Sequence, residues 1–365
     1  MATRIVHAAD VHLETVFPGV RGGGARRAAL ADAFERIVDL ALERHADVLT
    51  IGGDLYESER AGPATARFLF AAFARFGKPV FVAPGNHDPF AARSLYARDD
   101  LPANVRVFRD AAWTAVPLAP GITLYGFGHT PAEPGRPFAG ATFDRSGMRI
   151  ALVHGSDEQR CPPGKKPTAP FTAAEIRAAG ATLTLTGHYH GGSIVSDKAG
   201  PVFAYPGSPE PIKFGERGDH GALVLDVRDD GSLGLENVPI ASTQLHDVSI
   251  ALDDAADENA VIAACERALE RFGRTDYVRA TLVGTIQHGT RVDRSLLAER
   301  AGAQLGGLDL TDRSIVADYA EIARESNVRG HAVAELLAAA NAGDDAARRA
   351  LTLVVQAFDG VEITA

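Results

Sequence analysis

The sequence predicts an α/β protein with two packed β-sheets, followed by a smaller α/β unit at its C-terminal end. Three observations carry this expectation. The first 85 residues alternate short apolar runs with longer amphipathic ones in the order β-α-β-α-β, which calls for parallel strands covered by helices. Beyond Phe90, seven more short apolar runs follow, separated by Pro and Gly; so many strands suit two packed sheets better than one. Beyond about residue 240 the order becomes strand, helix, strand, helix.

Taken in order, residues 4–9 read as a strand ended by Asp10. Residues 25–45 place Leu30, Phe34, Ile37, Val38, Ala41 and Leu42 at helical spacing. Residues 47–51 form the next strand, 63–76 a second helix, and 79–83 a third strand stopped by Pro84 and Gly85. Strands at 105–108, 112–116, 122–125, 150–153, 183–186, 202–205 and 222–227 follow, with a hairpin turn at 229–232. The second region reads strand 245–252, helix 258–272, strand 277–286 and helix 293–303, and residues 312–358 read as mostly helical.

Of the 365 residues, 46% are apolar and 23% charged, an ordinary globular balance. No apolar run reaches the roughly 18–20 residues of a membrane span, and the opening residues do not resemble a signal peptide. Cys161 and Cys265 lack metal-type spacing, as expected of reduced thiols in a cytoplasmic protein. The net charge of −10 argues against a nucleic-acid partner, but it is unevenly spread: residues 241–365 carry 12 of the 37 Lys and Arg and 20 of the 47 Asp and Glu. The first 240 residues are therefore nearly neutral, a balance that permits DNA binding without predicting it.

Five short motifs sit where predicted strands end: Asp10-Val11-His12, Gly53-Asp54, Gly85-Asn86-His87-Asp88, His154-Gly155 and Gly187-His188-Tyr189-His190. Side chains at the carboxyl ends of parallel strands converge on a crevice. Carboxylate, imidazole and amide oxygen together suit divalent ions such as manganese, iron and zinc. Paired ions of this kind lower the pKa of a water enough to make it a nucleophile near neutral pH. Singly, an Asp-x-His or a Gly-Asp is more often an ordinary turn; the five in this order point to a metal site. No cysteines accompany the histidines as in a zinc finger, and no Gly-x-Ser-x-Gly elbow supports Ser/His/Asp catalysis. His7 reads as a hydrogen-bonded core residue, and Trp113 and Phe127 as core. Arg21, Arg26, Arg27, Lys165 and Lys166 lie in loops after motif residues; phosphate contact and plain solvated charge are equally open for them.

At these motifs the sequence resembles the calcineurin-like metallophosphoesterase superfamily, and within it the SbcD/YhaO-type DNA repair exonuclease branch. The segments 12–20, 33–41, 53–56, 84–89, 205–209 and 214–221 are similar to that branch, and the resemblance is strong over residues 4–227. It implies a four-layer α-β-β-α sandwich over residues 1–240, a capping domain at 241–310, and a helical tail at 311–365 that docks a partner. It implies two divalent ions, of manganese type with iron, zinc or magnesium as alternatives. Asp10, His12, Asp54 and His190 would hold the first, and Asp54, Asn86, His154 and His188 the second. His87 would be the acid and Asp88 the carboxylate that orients it. Glu57 stands where some relatives carry a histidine, which puts assistance to the leaving group from that position in doubt. The resemblance further implies DNA as substrate, a coiled-coil SMC-like ATPase of the SbcC/YhaN type as partner, and a homodimer. The rivals are a phosphatase or phosphodiesterase acting on a small molecule or nucleotide, since fold does not choose substrate, and a catalytically silent scaffold for the ATPase. For the tail, packing on the capping domain competes with docking through anchors such as Ile315, Tyr319 and Ile322.

Overall fold

The computed structural model describes residues 2–17, 23–216, 218–253, 255, 257–287, 290, 292–358 and 360. They divide into two compact units, one reaching Thr243 and the other starting at Gln244.

The first unit opens with β1 (Thr3–Ala8), α1 (Gly23–Glu43), β2 (Val48–Ile51), α2 (Pro63–Phe76), β3 (Val80–Val82) and β4 (Val105–Val107). Strands β1 to β4 run parallel, with Ile5 beside Val48, Leu49 beside Val80 and Val80 beside Val105. β5 (Thr114–Ala119), β6 (Ile122–Phe127), β7 (Met148–His154), α3 (Ala173–Ala179), β8 (Leu183–Gly187), β9 (Ser193–Asp197), β10 (Gly200–Tyr205), β11 (Gly221–Val227) and β12 (Leu233–Pro239) follow. One sheet has the order β12-β11-β1-β2-β3-β4 and the other β5-β6-β7-β8-β10-β9.

Three apolar clusters fix the layers. Leu30, Phe34 and Ile37 of α1 and Leu69 and Phe73 of α2 pack with Val6, Leu49 and Val82 on the outer face of the first sheet. Alternate residues of the same strands, Ile5, Val48 and Phe81, meet Leu124, Ile150 and Leu185 of the second sheet. The far face of that sheet, through Tyr125, Val153 and Phe203, takes Ile176 and Ala179 of α3. Period-2 alternation on buried strands thus produces the α-β-β-α stack. Two details depart from the sequence expectation. Leu42 is exposed rather than on the buried stripe of α1, and the strand expected at 112–116 lies at Thr114–Ala119.

The second unit contains β13 (Gln244–Ala251), α4 (Glu258–Leu269), β14 (Asp276–Val283), β15 (Thr285–Gln287), α5 (Arg294–Arg300), β16 (Gly307–Asp312), β17 (Ile315–Ala317), α6 (Tyr319–Ile322), α7 (Val328–Asn341) and α8 (Asp345–Phe358). β13, β14 and β16 are parallel and pack with α4 and α5 around Val261, Cys265, Leu282 and Leu297. The predicted strand 277–286 is split at Gly284, whose φ of +98° turns the chain into β15. Residues 312–358 are mostly helical as expected, but not at their start. β-branched Ile315 and Val316 pair in parallel with Thr285 and Ile286, and helix begins only at Tyr319. Ile322 is buried with Val333, Leu351 and Val355, and the Tyr319 hydroxyl lies 3.2 Å from Thr352 Oγ1. The anchors Ile315, Tyr319 and Ile322 therefore do not form one exposed helical strip.

Candidate active site

The five motifs meet at the carboxyl ends of the parallel strands of both sheets. Asp10 follows β1, Asp54 follows β2, Asn86 to Asp88 follow β3, His154 ends β7, and His188 and His190 follow β8. The turns needed there put non-glycine residues in left-handed backbone: Asp10 at φ 55°, His12 at 52°, Asp54 at 51° and His188 at 114°. Such conformations cost free energy and persist where the surroundings impose them. Here backbone bonds do so, with Asp10 N–H donating to Gly53 O at 3.0 Å and His12 N–H to Asp54 O at 2.9 Å. Gly85 is required by close approach, because a Cβ there would lie 2.2 Å from Asp54 Oδ1.

Ligand-type atoms of Asp10, His12 and His190 lie within 4.8 Å of one another, as do those of Asp10, Asp54 and His154. Asp54 faces both groups: its Oδ2 is 3.3 Å from His154 Nε2 and 3.7 Å from His12 Nε2, while its Oδ1 accepts from His87 N–H at 2.8 Å. Asn86 Oδ1 lies 3.1 Å from His154 Nε2. The His188 ring is 5.3 Å from that of His154, and its backbone N–H donates to both Asp10 oxygens, at 3.0 and 2.9 Å.

Outer partners orient the rings. His12 Nδ1 lies 2.8 Å from Glu57 Oε1, His190 Nδ1 2.6 Å from Glu216 Oε1, and His154 Nδ1 2.8 Å from Gly52 O. Each therefore holds its proton on Nδ1 and turns Nε2 inward. His129, buried, sits 2.8 Å from His154 O through Nε2 and donates its backbone N–H to Pro84 O at 3.0 Å. Burial pushes His129 down to about 4 and His188 down to about 3. Burial also opposes charge on His154, but the Asp54 carboxylate outweighs it and carries the group up to about 9.

The assignment of Asp88 as the residue that orients His87 is corrected. Its buried carboxylate accepts from the N–H groups of Asp54 (3.0 Å), Leu55 (2.8 Å) and Gly85 (2.7 Å) and from the Tyr96 hydroxyl (2.5 Å). It ties the turns after β2 and β3 together, and among the described residues no hydrogen bond joins it to the His87 ring. His87 Nδ1 instead lies 2.9 Å from Glu57 Oε2. That hydrogen bond raises the His87 pKa, and the ring is 43% exposed at the edge of the site.

A model of the calcineurin-like phosphoesterase family matches residues 3–191, more than half of the chain. The chain belongs to this family. This phosphoesterase is 25% identical over 303 residues to an uncharacterized metallophosphoesterase, YhaO, of Bacillus subtilis, covering 77% of this chain and 71% of that one. It is 25% identical over 334 residues to the DNA double-strand break repair protein Mre11 of Aeropyrum pernix, covering 84% and 78%. A solved dimetal phosphatase from Danio rerio superposes with a TM-score of 0.40 at 12% identity, covering 61% of this chain and 92% of that one.

The phosphoesterase fold binds two divalent metal ions, and the residues present fit them. In the metal-free site the raised pKa of His154 places a second proton on Nε2, between the ring and the oxygens of Asn86 and Asp54; without that proton the nitrogen turns a lone pair at them. Acceptors facing one another this closely repel unless a cation or proton lies among them. His12 Nε2 is buried with no hydrogen-bond partner among the described residues, a costly arrangement for a nitrogen that has no ligand to meet. Held by these residues, two divalent ions would supply Lewis-acid polarisation of a phosphoryl oxygen and a water of lowered pKa.

The cleft over these residues has a volume of about 840 Å³ and is also lined by Arg160 and Lys213. Among the described residues, none of the basic side chains singled out from sequence lines it. Arg21 lies outside the described residues. Arg26 is buried, its guanidinium 4.9 Å above the Phe17 ring and bonded to Thr243 Oγ1 and Pro211 O, so its role is to pin α1 to the 210–213 loop. Arg27 and Lys165 are exposed elsewhere, and Lys166 pairs with Glu133. Arg160 and Lys213 were missed because they belong to no motif. Glu216 was missed, and Glu57 was noted only as a departure from relatives, because their partners lie 26 and 45 residues away.

Proposed function

We propose that this phosphoesterase is a two-metal DNA nuclease subunit that hydrolyses phosphodiester bonds in DNA repair. The observation that carries the reading is the reach of the similarity to the Aeropyrum pernix Mre11. It covers 84% of the chain, more than the first unit can supply, so it continues into the second. A likeness confined to the phosphoesterase fold would leave the substrate open.

In this reading Asp10, His12, Asp54 and His190 hold one ion of manganese type, and Asp54, Asn86, His154 and His188 hold the other. His87, at the rim, gives a proton to the leaving oxygen. Arg160 has its guanidinium 5.7 and 5.8 Å above the Tyr189 and Tyr205 rings; together with Lys213 it contacts phosphates flanking the scissile one. Residues 241–310 act as the capping domain, 311–365 dock a coiled-coil SMC-like ATPase, and the chain works in the cytoplasm as a homodimer. No helix among the described residues is long and apolar enough to cross a membrane.

One observation favours a small-molecule diester instead. A second cavity of about 490 Å³, lined by Pro131, Pro134, Pro167 and Ala169, shares Asn86 with the cleft and suits an apolar substituent. The purified chain with manganese should degrade linear duplex DNA, alone or with its ATPase. Hydrolysis of bis(p-nitrophenyl) phosphate with intact DNA in both mixtures would overturn the nuclease reading and leave the small-molecule one.

A further inference from the structure

We infer that Glu57 is a positioning residue that couples metal binding to leaving-group protonation, because its one carboxylate holds the ligand-type His12 and the acid-type His87 at the same time. Oε1 takes His12 Nδ1 at 2.8 Å and the Thr15 hydroxyl at 3.0 Å, while Oε2 takes His87 Nδ1 at 2.9 Å. The two rings stand edge to face with centroids 4.7 Å apart. The inference rests on the roles proposed above for His12 and His87, but not on DNA as the substrate.

The backbone keeps this bridge in register. Leu13 N–H donates to Leu55 O at 3.0 Å, Glu57 N–H to Leu13 O at 2.9 Å, and Ser58 N–H to His87 O at 3.1 Å. The segment carrying Glu57 is thus stitched to the turn holding His12 on one side and to the turn holding His87 on the other. A shift of either ring moves the carboxylate and so loads the other. As the attacking water oxygen bonds to phosphorus and gives up a proton to solvent, the P–O bond to the leaving group breaks, and its electron pair goes to the leaving oxygen, which takes the Nε2 proton of a doubly protonated His87. The resulting neutral ring keeps its Nδ1 proton on Glu57. A glutamine in place of Glu57 offers one acceptor and one donor, so it can serve only one of the two Nδ1–H groups.

The test compares Glu57→Gln, His87→Ala and the double variant by two readouts. One is calorimetric titration of the metal-free protein with Mn²⁺. The other is kcat for methyl p-nitrophenyl phosphate, whose leaving group needs no proton, against methyl phenyl phosphate, whose leaving group does. The expected result for Glu57→Gln is a loss of about 10–100-fold in Mn²⁺ affinity, present also in the double variant, and a larger fall in kcat for the phenyl ester than for the nitrophenyl ester. In the His87→Ala background Glu57→Gln should change the ratio of the two esters no further. A change in only one readout, in neither, or a ratio that falls again in the double variant would overturn the coupling. Should circular dichroism show Glu57→Gln unfolded, Thr15→Val carries the same test, with smaller losses in both readouts. Both esters are small, so failure of the DNA reading would show in the DNA assay alone.

Discussion

Replacing Asp88 with asparagine separates a structural carboxylate from a catalytic one. Asp88 accepts four hydrogen bonds, three from the backbone of Asp54, Leu55 and Gly85 and one from Tyr96. Asparagine keeps the shape but brings one carbonyl oxygen, which serves at most two of these donors, and it turns an NH₂ group toward the others. At least one backbone donor is left unpaired in a fully buried place, at about 1–3 kcal/mol, and the bonds that remain lose the help of the negative charge. The expected destabilisation is about 3 kcal/mol. For a unit of this size it lowers the melting temperature by about 6–12 °C. The assay is thermal unfolding followed by circular dichroism, with phosphodiester hydrolysis measured well below the transition. The expected outcome is a large fall in melting temperature, with the preference for nitrophenyl over phenyl esters unchanged. An unchanged melting temperature together with lost activity toward phenyl esters would refute the reasoning and return Asp88 to the role of orienting His87.

Three further outcomes are expected. His87→Ala should keep its metal content by mass spectrometry and lose about 10²–10⁴-fold in activity; loss of metal in step with activity would make His87 a ligand. Asp54→Ala removes the carboxylate that faces both ligand groups, so fewer than two ions per chain should remain, and anomalous scattering showing two full sites would contradict this. His7 bears on acid stability. Burial lowers its pKa from the usual 6.5 to about 4, so below pH 6.5 the unfolded chain binds a proton that the folded one refuses. Stability is intact above that pH, falls as the pH drops toward 4, and loses about 3 kcal/mol in all at ~1.36 kcal/mol per unit. Urea unfolding of His7→Gln should show a shallower loss between pH 7 and 4.5, and an unchanged slope would mean that His7 does not govern it.

The alternating strands and helices, and the motifs that end them, were legible because strand ends and ligand types are local properties. His7 was readable as a core histidine, and it meets Thr50 Oγ1 at 3.0 Å and Thr186 O at 3.3 Å. The role of Asp88 was not, because adjacency to His87 says nothing about direction: successive side chains at a strand end diverge, and the backbone N–H groups claimed this one. Glu57 was visible as a departure, but its two partners meet it only through the packing of three turns. In the second unit, Ile315 and Val316 fit a helical period as well as an extended one. Their pairing with Thr285 and Ile286, 30 residues earlier in the chain, decided between the two.

The carboxylate of Asp88 has a consequence for how such a protein can diverge. It locks the turns after β2 and β3 to one another, so neither turn can lengthen or shorten without leaving buried donors unpaired. The walls of the adjoining cavity, residues 129–136 and 166–170, are proline-rich segments outside any helix or strand. Their backbone bonds are few: His129 joins Pro84 and Phe90, Thr168 accepts from Ser156, and residues 130–135 make none among the described residues, so an insertion at 130–135 breaks no pairing. Drift in the length of those walls can therefore reshape what enters the cleft while the catalytic turns keep their spacing. A library with random insertions there, selected on new phosphodiesters, would draw its active members from the cavity walls and almost none from residues 52–57 or 84–88.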